Sequence, residues 1–253
     1  MKKLAIAITA ITAVAAFTGS AVAADMQVKA RPYAPPVVTA YNWTGCYVGA
    51  GGGYGMYNQD ISADILGNGN GNGNGNGNGS GTGTTLGGRG WFGTGQVGCD
   101  YQVMPSIVIG AFGDYNFGSI KGSLFSVDEK LSWSWAAGGR IGWVALPNLL
   151  AYVSGGYTEA RFDQVDFTYS SRRSGDYAGY IPATTYKGWF LGSGYEYGLG
   201  FMPGLFWKTE YRFADYQAQT VPIVYTDGFA DSFDSHKYVQ TIRSELVYRF
   251  NWH

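Results

Sequence analysis

Eight stretches of this chain alternate apolar and polar side chains with period two, and the connections between them are long and short in strict turn. Period two is the mark of a strand whose faces meet two different environments. In the first, Thr44 to about Tyr54, the residues Cys46, Val48, Ala50 and Tyr54 share one face and Gly49, Gly51 and Gly53 the other. The second, Trp91 to Gln102, sets Trp91, Val97, Cys99 and Tyr101 against Phe92, Thr94, Gln96, Asp100 and Gln102. The third, Ile107 to Phe117, sets Ile109, Ala111, Tyr115 and Phe117 against Asp114 and Asn116. In the fourth, Trp133, Trp135, Ile141 and Trp143 oppose Ser132, Ser134 and Arg140. The fifth, Leu150 to Ala160, leaves its faces open. In the sixth, Lys187 to Leu199, Trp189, Leu191, Tyr195 and Tyr197 oppose Glu196. The seventh alternates Trp207, Thr209, Tyr211 and Phe213 with Lys208, Glu210 and Arg212. The last, Tyr238 to Phe250, puts Ile242, Leu246, Tyr248 and Phe250 opposite Arg243, Glu245 and Arg249.

Short connections fall at Met104-Pro105-Ser106, Leu146-Pro147-Asn148 and Phe201-Met202-Pro203-Gly204. Long polar ones fall at about 55–90, 118–131, 161–186 and 214–237. Outer-membrane barrels show this asymmetry, with tight periplasmic turns and larger extracellular loops. A β-sandwich, the main soluble rival, has no reason to alternate its connection lengths. The expected fold is therefore all-β: an eight-stranded antiparallel transmembrane β-barrel over residues 42–253, with short periplasmic turns and long extracellular loops.

The N-terminus agrees with export. Lys2 and Lys3 precede an apolar run from Leu4 to about Phe17, and Ala21-Val22-Ala23 supplies a small-x-small cleavage site. Residues 1–23 thus read as a secretory signal peptide. The apolar run falls short of the ~20 residues a spanning helix needs, which argues against a membrane anchor. Residues 24–41, with Arg31-Pro32-Tyr33-Ala34-Pro35-Pro36, read as a Pro-stiffened periplasmic lead-in. Composition fits a membrane-facing surface better than a soluble one. The chain has 20 Tyr, 14 Phe and 8 Trp but only 14% charged residues, and Tyr and Trp favour the membrane–water interface. Without the leader, 15 basic residues face 18 acidic ones, which argues against a nucleic-acid partner. Residues 67–81 are a near-perfect Asn-Gly alternation with no Asp for calcium, so they read as flexible surface filler.

The charges that alternate with the aromatics all fall on the face away from lipid: Asp100, Asp114, Arg140, Glu196, Lys208, Glu210, Arg212, Arg243, Glu245 and Arg249. An eight-stranded barrel is just wide enough for side chains to fill it. Two readings follow, a packed core of ion pairs or a narrow charge-lined solute pathway, and the packed core is preferred. Cys46 and Cys99 lie on outward faces of consecutive strands, where opposed Cβ atoms come within about 4.5–5.5 Å, so a structural disulfide is expected. Catalysis and metal binding have little support. His236 and His253 are the only histidines, and neither cysteine has a Cys or His neighbour at metal-ligand spacing. Asp231-Ser232-Phe233-Asp234-Ser235-His236 holds triad residue types, but triads are made by geometry across a fold. Gly49–Gly55 is no nucleotide loop, because no helix follows. No cofactor is expected.

The end of the chain, Arg243 to Phe250 with aromatics at Tyr248 and Phe250, resembles the terminal signal read by the barrel-assembly machinery. Glu245 stands where that pattern prefers Gly, and Asn251-Trp252-His253 run past the usual terminal aromatic. The opening Asn42-Trp43-Thr44-Gly45-Cys46-Tyr47-Val48-Gly49 resembles the first strand of the alphaproteobacterial porin-like outer-membrane protein family. That family includes the major surface proteins of brucellae and rhizobia and the bartonella hemin-binding proteins. Gly95-Gln96-Val97-Gly98, Gly113-Asp114-Tyr115, Gly139-Arg140-Ile141-Gly142 and Tyr248-Arg249-Phe250 match its habits too. The resemblance implies an OmpA-type barrel in the bacterial outer membrane, contacting lipid and lipopolysaccharide. Members are described as porins, envelope-stabilising proteins, adhesins or hemin binders. The expected role is porin-like and mainly structural, with at most narrow permeability to small solutes. The rival is a surface binder of hemin or host surfaces acting through its loops, for which His236 is the one plausible axial ligand.

Overall fold

The computed structural model describes residues 41–62, 84–124, 127–168, 177–226, 228 and 230–251. The expected signal peptide, all but Tyr41 of the expected lead-in, and the Asn-Gly run lie outside them.

Ten strands are formed: β1 (Gly45–Ser62), β2 (Thr84–Met104), β3 (Ile107–Leu124), β4 (Val127–Leu146), β5 (Leu149–Phe162), β6 (Val165–Thr168), β7 (Tyr177–Ile181), β8 (Thr184–Gly198), β9 (Leu205–Tyr225) and β10 (Ala230–Asn251). Eight of them close a ring in the order β1-β2-β3-β4-β5-β8-β9-β10, with β10 returning to β1. Every pairing is antiparallel. Closure leaves no edge strand, which is what a sheet inside a bilayer requires, because no water is there to satisfy open backbone groups. The remaining two strands, β6 and β7, form a hairpin between β5 and β8, and β7 pairs with the tip of β9.

Outward faces carry Trp91, Val97, Phe117, Ile141, Trp143, Leu191 and Ile242, all more than half exposed. So much apolar surface exceeds what a soluble monomer shows and needs an apolar solvent. On β4 the outward apolar run goes from Trp133 to Trp143. Ten residue steps tilted by about 40° rise roughly 25 Å, the height of a barrel's lipid-facing band. β5, whose faces the pattern left open, points Leu150, Tyr152, Ser154, Thr158, Ala160 and Phe162 inward.

The long connections are long, but much of each is strand. β3 and β4 leave only 125–126 between them, and β9 runs to Tyr225 before β10 begins at Ala230. The alternation continues there with its polarity reversed. Beyond the lipid band Ile61, Ile120, Leu131, Val221, Ile223 and Phe233 are buried inside, while Asn58, Asp60, Lys121 and Asp234 face out. Outside a bilayer the solvent is water, so the apolar face must turn inward, and a reading keyed to apolar-out strands takes these extensions for loops.

At the opposite end the turns are tight. Gly204 adopts φ +83°, a region open to Gly at little cost, and its carbonyl accepts the Arg249 amide at 2.8 Å. Cys46 and Cys99 face each other across β1 and β2 with Cα atoms 3.9 Å apart, and they are disulfide-bonded.

Candidate functional site

The ten charges expected on the lumen face are all inside the barrel and buried, from Glu196 at 0% exposure to Arg212 at 6%. The structure sorts them into two networks, one above the other, and each is neutral.

The network nearer the short turns joins β2, β4, β8 and β10. Arg140 donates from Nε to Asp100 at 2.9 Å, and its two terminal nitrogens reach Asp100 and Glu196. Arg249 spans the same two acids, donating to Asp100 Oδ2 at 2.6 Å and to Glu196. Two guanidiniums and two carboxylates thus balance. Aromatic rings hold them flat: Tyr47 lies 4.6 Å from the Arg140 guanidinium and 4.8 Å from that of Arg249. Such contacts add on the order of 0.5–2 kcal/mol each when desolvated.

The middle network contains three acids and three bases. Arg212 grips Asp114 with both terminal nitrogens, at 3.1 and 2.8 Å. Arg243 donates to Glu210 at 2.7 Å and to Asp114 at 3.3 Å. Lys208 lies 3.0 Å from Glu245 and 3.5 Å from Glu210, and it also donates to Gln96. Tyr152 donates to Glu210 at 2.9 Å and Thr94 to Glu245 at 3.2 Å.

Alternation over the recognised strands missed a third, smaller pair. Lys237 and Glu129 meet at 2.7 Å, with Gln59 accepting from the same ammonium at 2.6 Å. Phe162 stands 4.1 Å from the Lys237 ammonium, and Tyr57 and Tyr186 lie beside it. Both residues fell in segments read as loops. Parity held a signal, since Lys237 is an even number of residues from Arg243.

Apolar layers separate and cap the networks. Phe112 and Phe190 meet at 6.0 Å, and Lys208 and Arg212 pack against their rings. At the short-turn mouth Tyr41, Trp43 and Phe206 cluster with centroids 4.7–5.4 Å apart, and Trp43 is fully buried. At the other mouth Val165 and Ile181 of the β6–β7 hairpin join Ile61, Val221, Ile223 and Phe233 in the buried core.

His236 lies elsewhere, on the outer side of β10. Its Nε2 is 2.7 Å from Asp215, and its Nδ1 is 3.0 Å from the Tyr238 hydroxyl. Axial ligation of a hemin iron would have to break one of these bonds. Tyr248 and Phe250 also point outward, with ring centroids 5.0 Å apart. Among the described residues no group of three or more His, Cys, Asp and Glu side chains is arranged to hold a metal.

No family model matches the chain. It is similar to the 31 kDa outer-membrane immunogenic proteins of Brucella melitensis and Brucella suis, at 28% identity over 251 residues, covering 93% of this chain and 96% of theirs. Solved structures similar to it include the outer membrane protein OprG of Pseudomonas aeruginosa (11% identity, TM-score 0.48, 83% of this chain and 98% of that one). Another is the outer membrane protein AlkL (16% identity, TM-score 0.43, 86% and 96%). The closed ring with its lipid-facing band and the similarity to these Brucella outer-membrane proteins place the chain in the bacterial outer membrane.

Proposed function

We propose that this outer-membrane barrel serves chiefly as a structural component of the envelope, porin-like in build, with at most narrow permeability to small ions or solutes. The observation that carries this reading is the pairing of the lumen charges. Glu196 and Lys208 are 0% and 1% exposed, so no water-sized route runs past them. A selectivity filter needs charges that face passing ions, whereas these face each other. Replacing hydration with mutual hydrogen bonds at every level is the arrangement of a filled core. Single-channel recording of the refolded mature protein in a planar bilayer tests it. A silent bilayer, with folding shown by heat-dependent gel mobility, agrees. Discrete steps whose size changes when Arg140 or Arg212 is neutralised would overturn it and make the lumen a pathway. Export belongs to the same reading, with the leader cleaved after Ala23, so that the mature protein starts at Ala24 when sequenced from its N-terminus. Insertion through the barrel-assembly machinery would use the terminal strand that ends in Tyr248 and Phe250.

A further inference from the structure

Beyond the aromatic girdle at the long-hairpin end, the outer wall changes sign around its circumference. On five adjacent strands a basic residue follows the last outward aromatic by one or two outward positions. These are Arg89 beyond Trp91 on β2, Lys121 beyond Phe117 on β3, Lys130 beyond Trp133 on β4, Arg161 beyond Tyr157 on β5 and Lys187 beyond Trp189 on β8. Two acids share this side, Glu159 directly opposite Lys187 and Asp128 two residues from Lys130, so the uncompensated charge is concentrated on Arg89 and Lys121. On β9, β10 and β1 the corresponding stretches carry Asp215, Asp234 with His236, and Asn58 with Asp60. The chain's slightly acidic total conceals this segregation.

The basic face is crowded. Arg89 is directly opposite Lys121 across β2 and β3, and Lys121 is directly opposite Lys130 across β3 and β4. Like charges opposed on paired strands are destabilising, so this arrangement needs a compensating anion. Among the described residues no carboxylate makes an ion pair with Arg89 or Lys121, and Lys130 has only Asp163, at 3.8 Å with both side chains well exposed. Arg89 and Lys121 also line a groove of about 480 Å³ shared with Met56, Asn58, Gly87 and Gly88. Gly87, exposed two residues beyond Arg89 and opposite Asn58, adds no side chain to the wall there.

We propose that this face binds the phosphate groups of lipid headgroups in the outer leaflet. Arg89 and Lys121 would hold one phosphate over the groove, with Lys130 extending the row. Position selects a lipid over a dissolved anion. Trp91, Trp133 and Trp189 mark headgroup level, and the cations follow them by one or two outward positions, where headgroup phosphates lie. A guanidinium matches phosphate geometry with two parallel hydrogen bonds, and the neighbouring ammonium supplies a point charge. The inference rests on the outer-membrane location and is independent of whether the lumen conducts.

The test compares retention of a diphosphorylated glycolipid, lipid A, by the full mature protein and by R89Q/K121Q/K130Q, using native mass spectrometry from detergent. Folding is checked by heat-dependent gel mobility. A basic residue near an anionic surface contributes roughly fivefold to association, so the triple variant should retain lipid A about a hundredfold more weakly. Asp234→Asn, on the opposite face, should leave retention unchanged. Should the triple variant fail to fold, Arg89→Gln and Lys121→Gln singly are each expected to weaken retention about fivefold. Undiminished retention by these variants overturns the proposal. So does displacement of lipid A by soluble tripolyphosphate at matching phosphate concentration, which would make the face a site for dissolved polyanions.

Discussion

Arg140→Met should be among the most damaging single substitutions in the barrel. It removes the charge and keeps an unbranched side chain of similar reach. The layer it leaves behind holds Asp100 and Glu196 against Arg249 alone, all three buried. Breaking a buried ion pair by removing one partner typically costs about 3–5 kcal/mol, because the other charge stays desolvated and unpaired. Loss of the cation–π contacts with Tyr47 and Tyr152 adds to this, while the methionine sulfur against the same rings returns part of it. The net expectation is a loss of about 4 kcal/mol, read as a shift in urea unfolding in phosphatidylcholine vesicles by tryptophan fluorescence. Glu196→Gln added to Arg140→Met restores neutrality, and its carbonyl can still accept from Arg249. The double variant should recover more than half of the loss, with a coupling energy of roughly 2–3 kcal/mol in the cycle. A cost below about 1 kcal/mol, the range of exposed ion pairs, or strictly additive effects would refute a desolvated, mutually compensating network.

Trp43→Ala removes the fully buried ring that closes the short-turn mouth. It should cost about 3–5 kcal/mol and, if the caps help to seal the lumen, raise the background leak in planar bilayers. Gly110→Ala would place a Cβ 1.9 Å from Asp100 Oδ1, an oxygen that Arg140 holds in place. Overpacking of this kind should destabilise by about 1–3 kcal/mol, measured by the same urea titration. The mature protein should show no free thiols when its mass is measured without reduction after alkylation. Cys46→Ser/Cys99→Ser should lower stability by up to about 4 kcal/mol, the loop-closure value for a separation of 53 residues.

Much of this architecture was legible before any coordinates. Alternation is local, so Trp207 to Phe213 alone shows which side chains face lipid and which face inward, and the turns at Pro105 and Pro147 mark where strands reverse. Reading stopped where the solvent changes. Past Tyr54 on β1, or before Tyr238 on β10, the polar face becomes the outer one, and those stretches look like loops although Tyr57, Ile61 and Phe233 are buried inside. Tyr152 was missed because β5 mixes small and aromatic residues on both faces, and the structure turns its hydroxyl toward Glu210 at 2.9 Å.

By itself, the sequence determined the barrel, the side of the wall that residues occupy within the lipid band on every strand but β5, and the opposition of Cys46 and Cys99 across neighbouring strands. Each of these follows from spacing along one strand or between consecutive ones. Which charge meets which was decided only by the tertiary structure. Arg249 reaches Asp100 across 149 residues and Arg212 reaches Asp114 across 98. Those distances are closed by the return of β10 to β1 and by the stagger of strands around the ring. The register of β2 on β3 and of β3 on β4 brings Arg89, Lys121 and Lys130 into one row, although the chain's total charge shows no sign of it.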